Sequence, residues 1–329
     1  MTHTVQAVYS LEADKLMEYS LQRRIFTISM FTMGRLGVPI FFFLTGYLLL
    51  DREYPREKYI AFLKRNVGGL YLTTAIWIVI YNIFNALFYG TAFGVGKCLK
   101  NLVFIKSTDM GHMWYMPAIL GMYLFLPFVA NALKHTDEKV LCIPLAIACI
   151  YRFAVPVINI WLTAGGQETI SSLPDVSFSG NEYGIMILLG YLVKKNVFDK
   201  IPSAVFIVIG TVGFIFTVVT QNYSDMQGIT YTVWYDSGSL LIAALSIFVL
   251  LSRISLKYEK VATSISRASF GIFLLHNLVL IPLTRYYQPG MSSVSRLAVL
   301  FMVTFVLSWL IAALLGRNKM VSRILMFQK

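Results

Sequence analysis

Charged residues are scarce in this sequence of 329 residues, because Asp, Glu, Lys and Arg together make up only 13% of it. Soluble domains carry about 25% charged and about 45–50% apolar residues. Here 57% of the residues are hydrophobic and the mean hydropathy is +0.68. The composition excludes a single soluble core and indicates a protein embedded in a lipid bilayer.

Cysteine is equally rare, with only Cys98, Cys142 and Cys149 in the chain. They form no CxxC pair and no spacing typical of metal ligands. We interpret them as small apolar side chains. The sequence therefore predicts no bound metal.

Several catalytic motifs are missing. The chain has no GxSxG nucleophile elbow, no HExxH zinc motif, and no histidine followed five residues later by an acidic residue. The segment GTAFGVGKC fits a phosphate-binding loop only loosely, because the required glycine and hydroxyl positions are Thr91 and Cys98. The sequence signatures of α/β-hydrolases, zinc proteases of the HExxH type and soluble HxxxxD acyltransferases are therefore missing.

Apolar runs long enough to cross a bilayer recur along the whole chain. They predict an all-α, polytopic transmembrane bundle in a single domain over 1–329. No internal repeat is visible, which argues against a secondary transporter. About nine full spans are expected, at 31–50, 67–89, 112–133, 139–162, 179–193, 201–220, 237–252, 268–287 and 294–316.

The net charge of +12 lies in short loops between these runs, so it indicates membrane orientation and no nucleic-acid partner. One side of the predicted bundle carries 18 Lys and Arg residues and the other carries 8. Basic loops face the cytoplasm. We therefore expect a multi-pass cell-membrane protein with loop 51–66 and the C-terminus on the cytoplasmic side.

This orientation places residues 1–30 outside, although they contain no signal peptide. The simplest explanation is an upstream helix. We expect residues 1–10 to be the end of a truncated first span that begins before Met1.

Ionisable residues within spans are costly and mark functional sites. Arg35 shares one helical face with Pro39, Phe42 and Gly46, and either function or snorkelling to the outer interface explains it. His276 lies near mid-span, with Ser269 seven residues earlier on its face, and a hydrogen bond to another helix is its alternative explanation.

His112 begins a span beside Trp114, where a plain interfacial aromatic belt is an equal alternative. Arg152 is interpreted as a structural partner or as lining a cavity, and His135 as solvated. His3 is of interest only if residues 1–10 end a helix, because it then lies at the outer face level with Arg35 and His112.

Three segments together resemble the membrane acyltransferase-3 family, which O-acetylates surface and secreted glycans. The segments are RLGVPIFFFLTGY from Arg35 to Tyr47, HMWYMP from His112 to Pro117, and SRASFGIFLLH from Ser266 to His276. They occur in the family's order and span essentially the whole chain.

The resemblance implies transfer of acetyl from acetyl-CoA, a donor substrate and not a bound cofactor, to a hydroxyl of a cell-surface or lipid-linked glycan. It places the family's catalytic histidine at His3 and implies that Arg35 stabilises the oxyanion or holds the thioester carbonyl. Tyr47 and Trp114 would line the cavity, with His276, His112 and Ser269 on the donor or substrate. The family's arginine, about eleven residues before that histidine, would precede Met1, so we expect His3 to act in a chain extended at its N-terminus.

By the same resemblance, acetyl-CoA enters from the cytoplasmic side, where its phosphates could meet a basic loop. The positive-inside rule alone also explains these charges. The residues concerned are Arg52, Arg56, Lys58, Lys64 and Arg65.

Two other classes stay open. A transporter or flippase for a sugar-linked or anionic substrate could use the same intramembrane Arg and His residues. A non-catalytic, degenerate acyltransferase would have lost its first helix, and the genomic sequence upstream of Met1 would distinguish it from an enzyme.

Overall fold

The computed structural model describes residues 1–106, 111–171, 174–255, 259–286 and 290–328, and every regular element within these ranges is a helix. In chain order the α-helices are α1 (Thr2–Val8), α2 (Ala13–Met17), α3 (Leu21–Arg35), α4 (Gly37–Leu49), α5 (Arg56–Phe62), α6 (Gly69–Tyr89), α7 (Val95–Leu102), α8 (Tyr115–Leu133), α9 (Glu138–Cys149), α10 (Val155–Ala164), α11 (Asn181–Lys194), α12 (Ser203–Met226), α13 (Gly238–Ser252), α14 (Glu259–Tyr286), α15 (Ser293–Leu315) and α16 (Lys319–Leu325). Short π-helices cover Leu63–Gly68 and Ile150–Ala154, and short 3₁₀ helices cover Gly111–Trp114 and Ser177–Ser179.

The described residues contain seven helical stretches long and apolar enough to cross a bilayer. They are Leu21–Leu49, Arg56–Tyr89, Gly111–Leu133, Glu138–Ala164, Ser203–Met226, Ala262–Tyr286 and Ser293–Leu315. The two other predicted spans, 179–193 and 237–252, coincide with the shorter helices α11 and α13. The all-helical multi-pass class is confirmed, and the count of nine spans is not.

The first span is longer than the predicted range 31–50. It begins at Leu21, where the Ser20 hydroxyl accepts a hydrogen bond from Arg23 N, and it runs through α3 and α4 with a break at Leu36. Residues 21–30 look too polar for a span, but α3 buries its polar side chains Arg24, Thr27 and Thr32 against protein. Arg35 therefore lies midway along the stretch and not near its start.

The chain divides into two compact units, each built from two separate segments of the sequence. Unit 1 comprises Met1–Glu53 and Phe128–Ser255, and unit 2 comprises Tyr54–Pro127 and Leu256–Lys329. The prediction of one domain over 1–329 is not tested by this division.

In unit 1, α4 and α11 pack through glycines. A Cβ added to Gly46 would overlap Ile187 O, and one added to Gly190 would overlap Phe43 O. Small residues let two helix backbones approach closely where no water drives the packing. These reciprocal contacts fix the helix that continues from Arg35.

In unit 2, the C-terminal helix α16 packs on α6. The buried side chains of Thr73 and Trp77 donate to Ile324 O at 2.8 Å and Leu325 O at 2.7 Å. Further along α6, the Tyr81 hydroxyl donates to Leu274 O of α14. Side chains of α6 thus satisfy carbonyl groups of two other helices.

Candidate active site

The short helix α1 packs against α3 at Gly34. A Cβ on Gly34 would overlap the Thr2 hydroxyl and lie 2.6 Å from Thr2 N, so only glycine permits this approach. His3 follows Thr2 and Arg35 follows Gly34 in the sequence. The contact therefore brings the two residues predicted to be catalytic to the same part of unit 1.

Arg35 is buried, with 8% of its surface exposed. Its guanidinium carbon lies 4.7, 4.4 and 5.2 Å from the ring centroids of Phe31, Trp234 and Tyr235, and its terminal nitrogen donates to the Tyr235 hydroxyl at 3.0 Å. We call these three rings the aromatic cage. Arg35 Nε has no hydrogen-bond partner among the described residues.

Trp234 and Tyr235 belong to the loop of residues 227–237 between α12 and α13. The amide of Gln221 on α12 holds this loop, donating to Tyr231 O at 2.9 Å and accepting from Val233 N at 2.6 Å. The Ser224 hydroxyl donates to Ile229 O at 3.0 Å. Side chains of α12 thus form the hydrogen bonds to the loop backbone that a neighbouring strand would form in a sheet.

His3 lies in α1, outside the seven long helices. Burial, with smaller effects of the Met1 amino group and the Arg35 guanidinium, lowers the pKa of His3 to about 4, while a hydrogen bond with the Gln6 side chain opposes the shift. The imidazole is therefore neutral at pH 7. A neutral imidazole is the form that can accept a proton.

The other two predicted histidines come together in unit 2. The ring centroids of His112 and His276 are 4.8 Å apart, and His112 Nδ1 lies 2.7 Å from the Asn277 amide nitrogen. His276 Nδ1 lies 2.6 Å from Phe273 O. Since a carbonyl oxygen can only accept, the proton of this contact lies on His276 Nδ1.

The remaining predicted residues are placed as follows. Tyr47 is twelve residues beyond Arg35, about 18 Å along the helix axis. It lies under Lys194 Nζ, 5.1 Å from its ring centroid, and against Phe248. Tyr47 is therefore not brought together with Arg35.

Ser269 donates to Ser266 O at 2.8 Å within its own helix. Trp114 packs edge-on against Tyr115, with ring centroids 6.1 Å apart. Arg152 forms an ion pair with Glu182 at 2.7 Å, which confirms structural pairing, the first of its two interpretations.

The family model described as an acyltransferase domain, Acyl_transf_3, matches residues 1–313. The chain belongs to this acyltransferase family. No curated protein and no solved structure matches the chain. The family and the apolar helices together make this chain a multi-pass membrane acyltransferase.

The acyltransferase match includes unit 1, unit 2 up to residue 313, and all seven predicted site residues. Among the described residues no group of three or more His, Cys, Asp or Glu side chains could hold a metal ion.

Sequence reasoning missed Trp234 and Tyr235 as partners of Arg35. They lie 199 and 200 positions after it in the sequence, so no helical periodicity connects them. The one available signal was the aromatic stretch YTVWY within a loop that contains no basic residue. Gln221 gave no signal of its own.

Proposed function

We propose that this membrane acyltransferase transfers acetyl from acetyl-CoA to a hydroxyl of a cell-surface or lipid-linked glycan. His3 acts as the general base, and Arg35 stabilises the charge that develops on the thioester oxygen. Acetyl-CoA is a substrate, and no bound cofactor takes part.

The observation that carries this proposal is a buried guanidinium with unused donors beside a neutral imidazole. Of the five N–H groups of Arg35, one is engaged by Tyr235, and Nε has no partner among the described residues. A donor aimed at a developing oxyanion is strongest where water is excluded. His3, with its lowered pKa, supplies the acceptor that the reaction requires.

The step balances without an external reagent. The acceptor hydroxyl attacks the thioester carbonyl while His3 takes its proton, and the carbonyl oxygen becomes an oxyanion that Arg35 stabilises. Collapse of this intermediate forms the ester C–O bond and breaks the C–S bond. The proton on His3 then passes to the leaving CoA thiolate.

The donor is proposed to enter from the cytoplasmic side, with loop 51–66 and the C-terminus on that side. Four basic side chains on the first helical turns of unit 2 are exposed and could attract the phosphates of CoA. They are Arg56, Lys58, Lys64 and Arg65. Arg52 has a structural role as well, because its Nε donates to Leu48 O at 2.7 Å.

In unit 2, the pair of His112 and His276 is proposed to bind the donor or substrate. His276 donates through Nδ1 to Phe273 O, and His112 accepts from Asn277 through Nδ1 and so carries its proton on Nε2. Trp114 and Ser269 are assigned to the same task by family resemblance, as is Tyr47 in unit 1.

The test is acetyl transfer in membranes containing the protein, measured as release of radiolabelled acetate from the surface glycan. The protein is assayed as the 329-residue chain. Arg35→Lys and His3→Ala should each lower kcat by about 10²–10³, the range for losing one oxyanion donor or a general base. Lysine keeps the charge of Arg35 but lacks its planar fork of donors.

Arg24→Lys is the matched control, because Arg24 is also buried on α3, at 7% exposure, and does not touch the aromatic cage. His135→Ala is the control for His3→Ala, because His135 is exposed and is not assigned to the site. Full transfer by a well-inserted Arg35→Lys protein would remove Arg35 from the mechanism. Full transfer by His3→Ala would leave His112 and His276 as the candidates for the base.

A further inference from the structure

The position of Arg35 depends on a loop without regular secondary structure. No carboxylate lies within 4.0 Å of the Arg35 guanidinium among the described residues, so two rings of the 227–237 loop and Phe31 of its own helix hold it. Any shift of Trp234 and Tyr235 would change the direction of its free N–H donors. The group that fixes this loop therefore matters to the site.

Gln221 is that group. It is buried at 5% exposure, and both ends of its amide are engaged. Its oxygen accepts from Val233 N, and its nitrogen donates to Tyr231 O and, at 2.8 Å, to Asp225 Oδ1 one helical turn away. The amide thus joins two alternate residues of the loop to α12 directly before Trp234.

The backbone of the loop fixes which way the amide points. A peptide N–H can only donate, so the Gln221 atom facing Val233 N is the oxygen, and the NH₂ group faces Tyr231 O and Asp225 Oδ1. Reversal of the amide would place two acceptors against each other at Asp225 and two donors against each other at Val233.

We propose that Gln221 is a positioning residue for Arg35. Its amide holds the 227–237 loop so that the aromatic cage directs the guanidinium at the acyl group. The proposal rests on the proposed function for its catalytic consequence, and on the hydrogen bonds of Gln221 for its structural part.

The test uses Gln221→Glu, which keeps the size and shape of the side chain. It replaces the donating nitrogen by an oxygen that faces Tyr231 O and Asp225 Oδ1. Gln221→Met, which removes the hydrogen bonds without adding charge, is a second variant in case the first does not insert. Thr220→Val is the matched control. Thr220 directly precedes Gln221 on α12 and is also buried, but its hydroxyl accepts from Trp161 Nε1 at 3.2 Å and makes no hydrogen bond to the loop.

The first readout needs no activity. Val233→Cys, at a position with 0% exposure, is introduced after the three natural cysteines are replaced, and its reaction with a maleimide is timed. Gln221→Glu and Gln221→Met should speed labelling by about tenfold or more, as expected when a local opening equilibrium shifts. Thr220→Val should leave the rate unchanged. Adding Asp225→Asn to Gln221→Glu supplies an N–H to the new carboxylate and should restore part of the protection.

The second readout is acetyl transfer in the Gln221 variants with Val233 intact. The kcat should fall by about tenfold to a hundredfold, the scale for misplaced catalytic groups, while the KM for acetyl-CoA changes by less than about twofold. Gln221→Glu should add almost nothing to Arg35→Lys, because both act through one guanidinium. Unchanged labelling, or faster labelling with unchanged kcat, would overturn the proposal. Absence of transfer by the unmodified protein would overturn the proposed function alone, because the labelling still decides the role of Gln221 in the loop.

Discussion

Arg35 illustrates how a cation is accommodated among apolar helices without a carboxylate to neutralise it. A snorkelling arginine extends its head group towards water, whereas this guanidinium is buried and faces three aromatic rings. Cation–π attraction is worth about 0.5–2 kcal/mol per ring, depending on solvent exclusion. Such contacts stabilise the charge and leave N–H donors for a ligand.

The lowered pKa of His3 predicts how acetyl transfer depends on pH. A general base must be neutral, so the activity it supports is lost when the pH falls below its pKa. Because the pKa of His3 is about 4, kcat/KM should stay level between pH 8 and about 5.5 and decline only below that. An unperturbed histidine would instead give a decline centred near pH 6.5.

The pH profile is measured in proteoliposomes with acetyl-CoA and a soluble sugar acceptor. Arg35→Gln provides the comparison, because it removes one of the charges that lower the pKa of His3 and should move the decline to a higher pH. A decline near pH 6.5 in the unmodified protein would argue against His3 as the base.

At the scale of elements, the contact of α1 with α3 brings His3 and Arg35, the proposed base and oxyanion donor, to the same part of unit 1. Gly34→Ala would place a methyl group 2.6 Å from Thr2 N, where backbone atoms cannot yield as a flexible side chain can. The α1 helix should move away, and acetyl transfer should fall by about tenfold or more because His3 no longer lies beside Arg35.

Gly37→Ala is its matched control. It lies three residues later, at the start of α4, and a Cβ there meets no atom within 4 Å. Transfer by this variant should equal that of the unmodified protein, and membrane levels of both should be equal on immunoblots. Normal transfer by Gly34→Ala would show that the position of α1 is not critical.

The elements also indicate what could be predicted from sequence and what could not. Spans such as α15 were predictable, because a continuous apolar run needs only length and hydropathy. The start of the first span was not, because Arg24, Thr27 and Thr32 face protein and lower the hydropathy of a helix that still crosses. The aromatic cage around Arg35 could not be predicted for a different reason, because a tertiary contact between residues 35 and 235 leaves no pattern in the local sequence.

At the scale of the whole molecule, the basic residues predict an orientation that the seven apolar helices alone do not define. Lys58→Cys, at an exposed position of α5, should resist an impermeant maleimide in intact cells. Thr232→Cys, exposed in the 227–237 loop, should react. Both labelling reactions are compared with the same cells after permeabilisation, and labelling of Lys58→Cys in intact cells would reverse the orientation.

The C-terminal helix α16 has a consequence for gene fusions and truncations. The acyltransferase match ends at residue 313, yet α16 lies beyond it and accepts the side-chain hydrogen bonds of Thr73 and Trp77. A chain cut at that boundary would leave two buried donors unsatisfied, at about 1–3 kcal/mol each. A late frameshift, or a C-terminal reporter fusion that removes α16, should therefore destabilise the protein and lead to its degradation. Function would be lost although every residue of the proposed site is present.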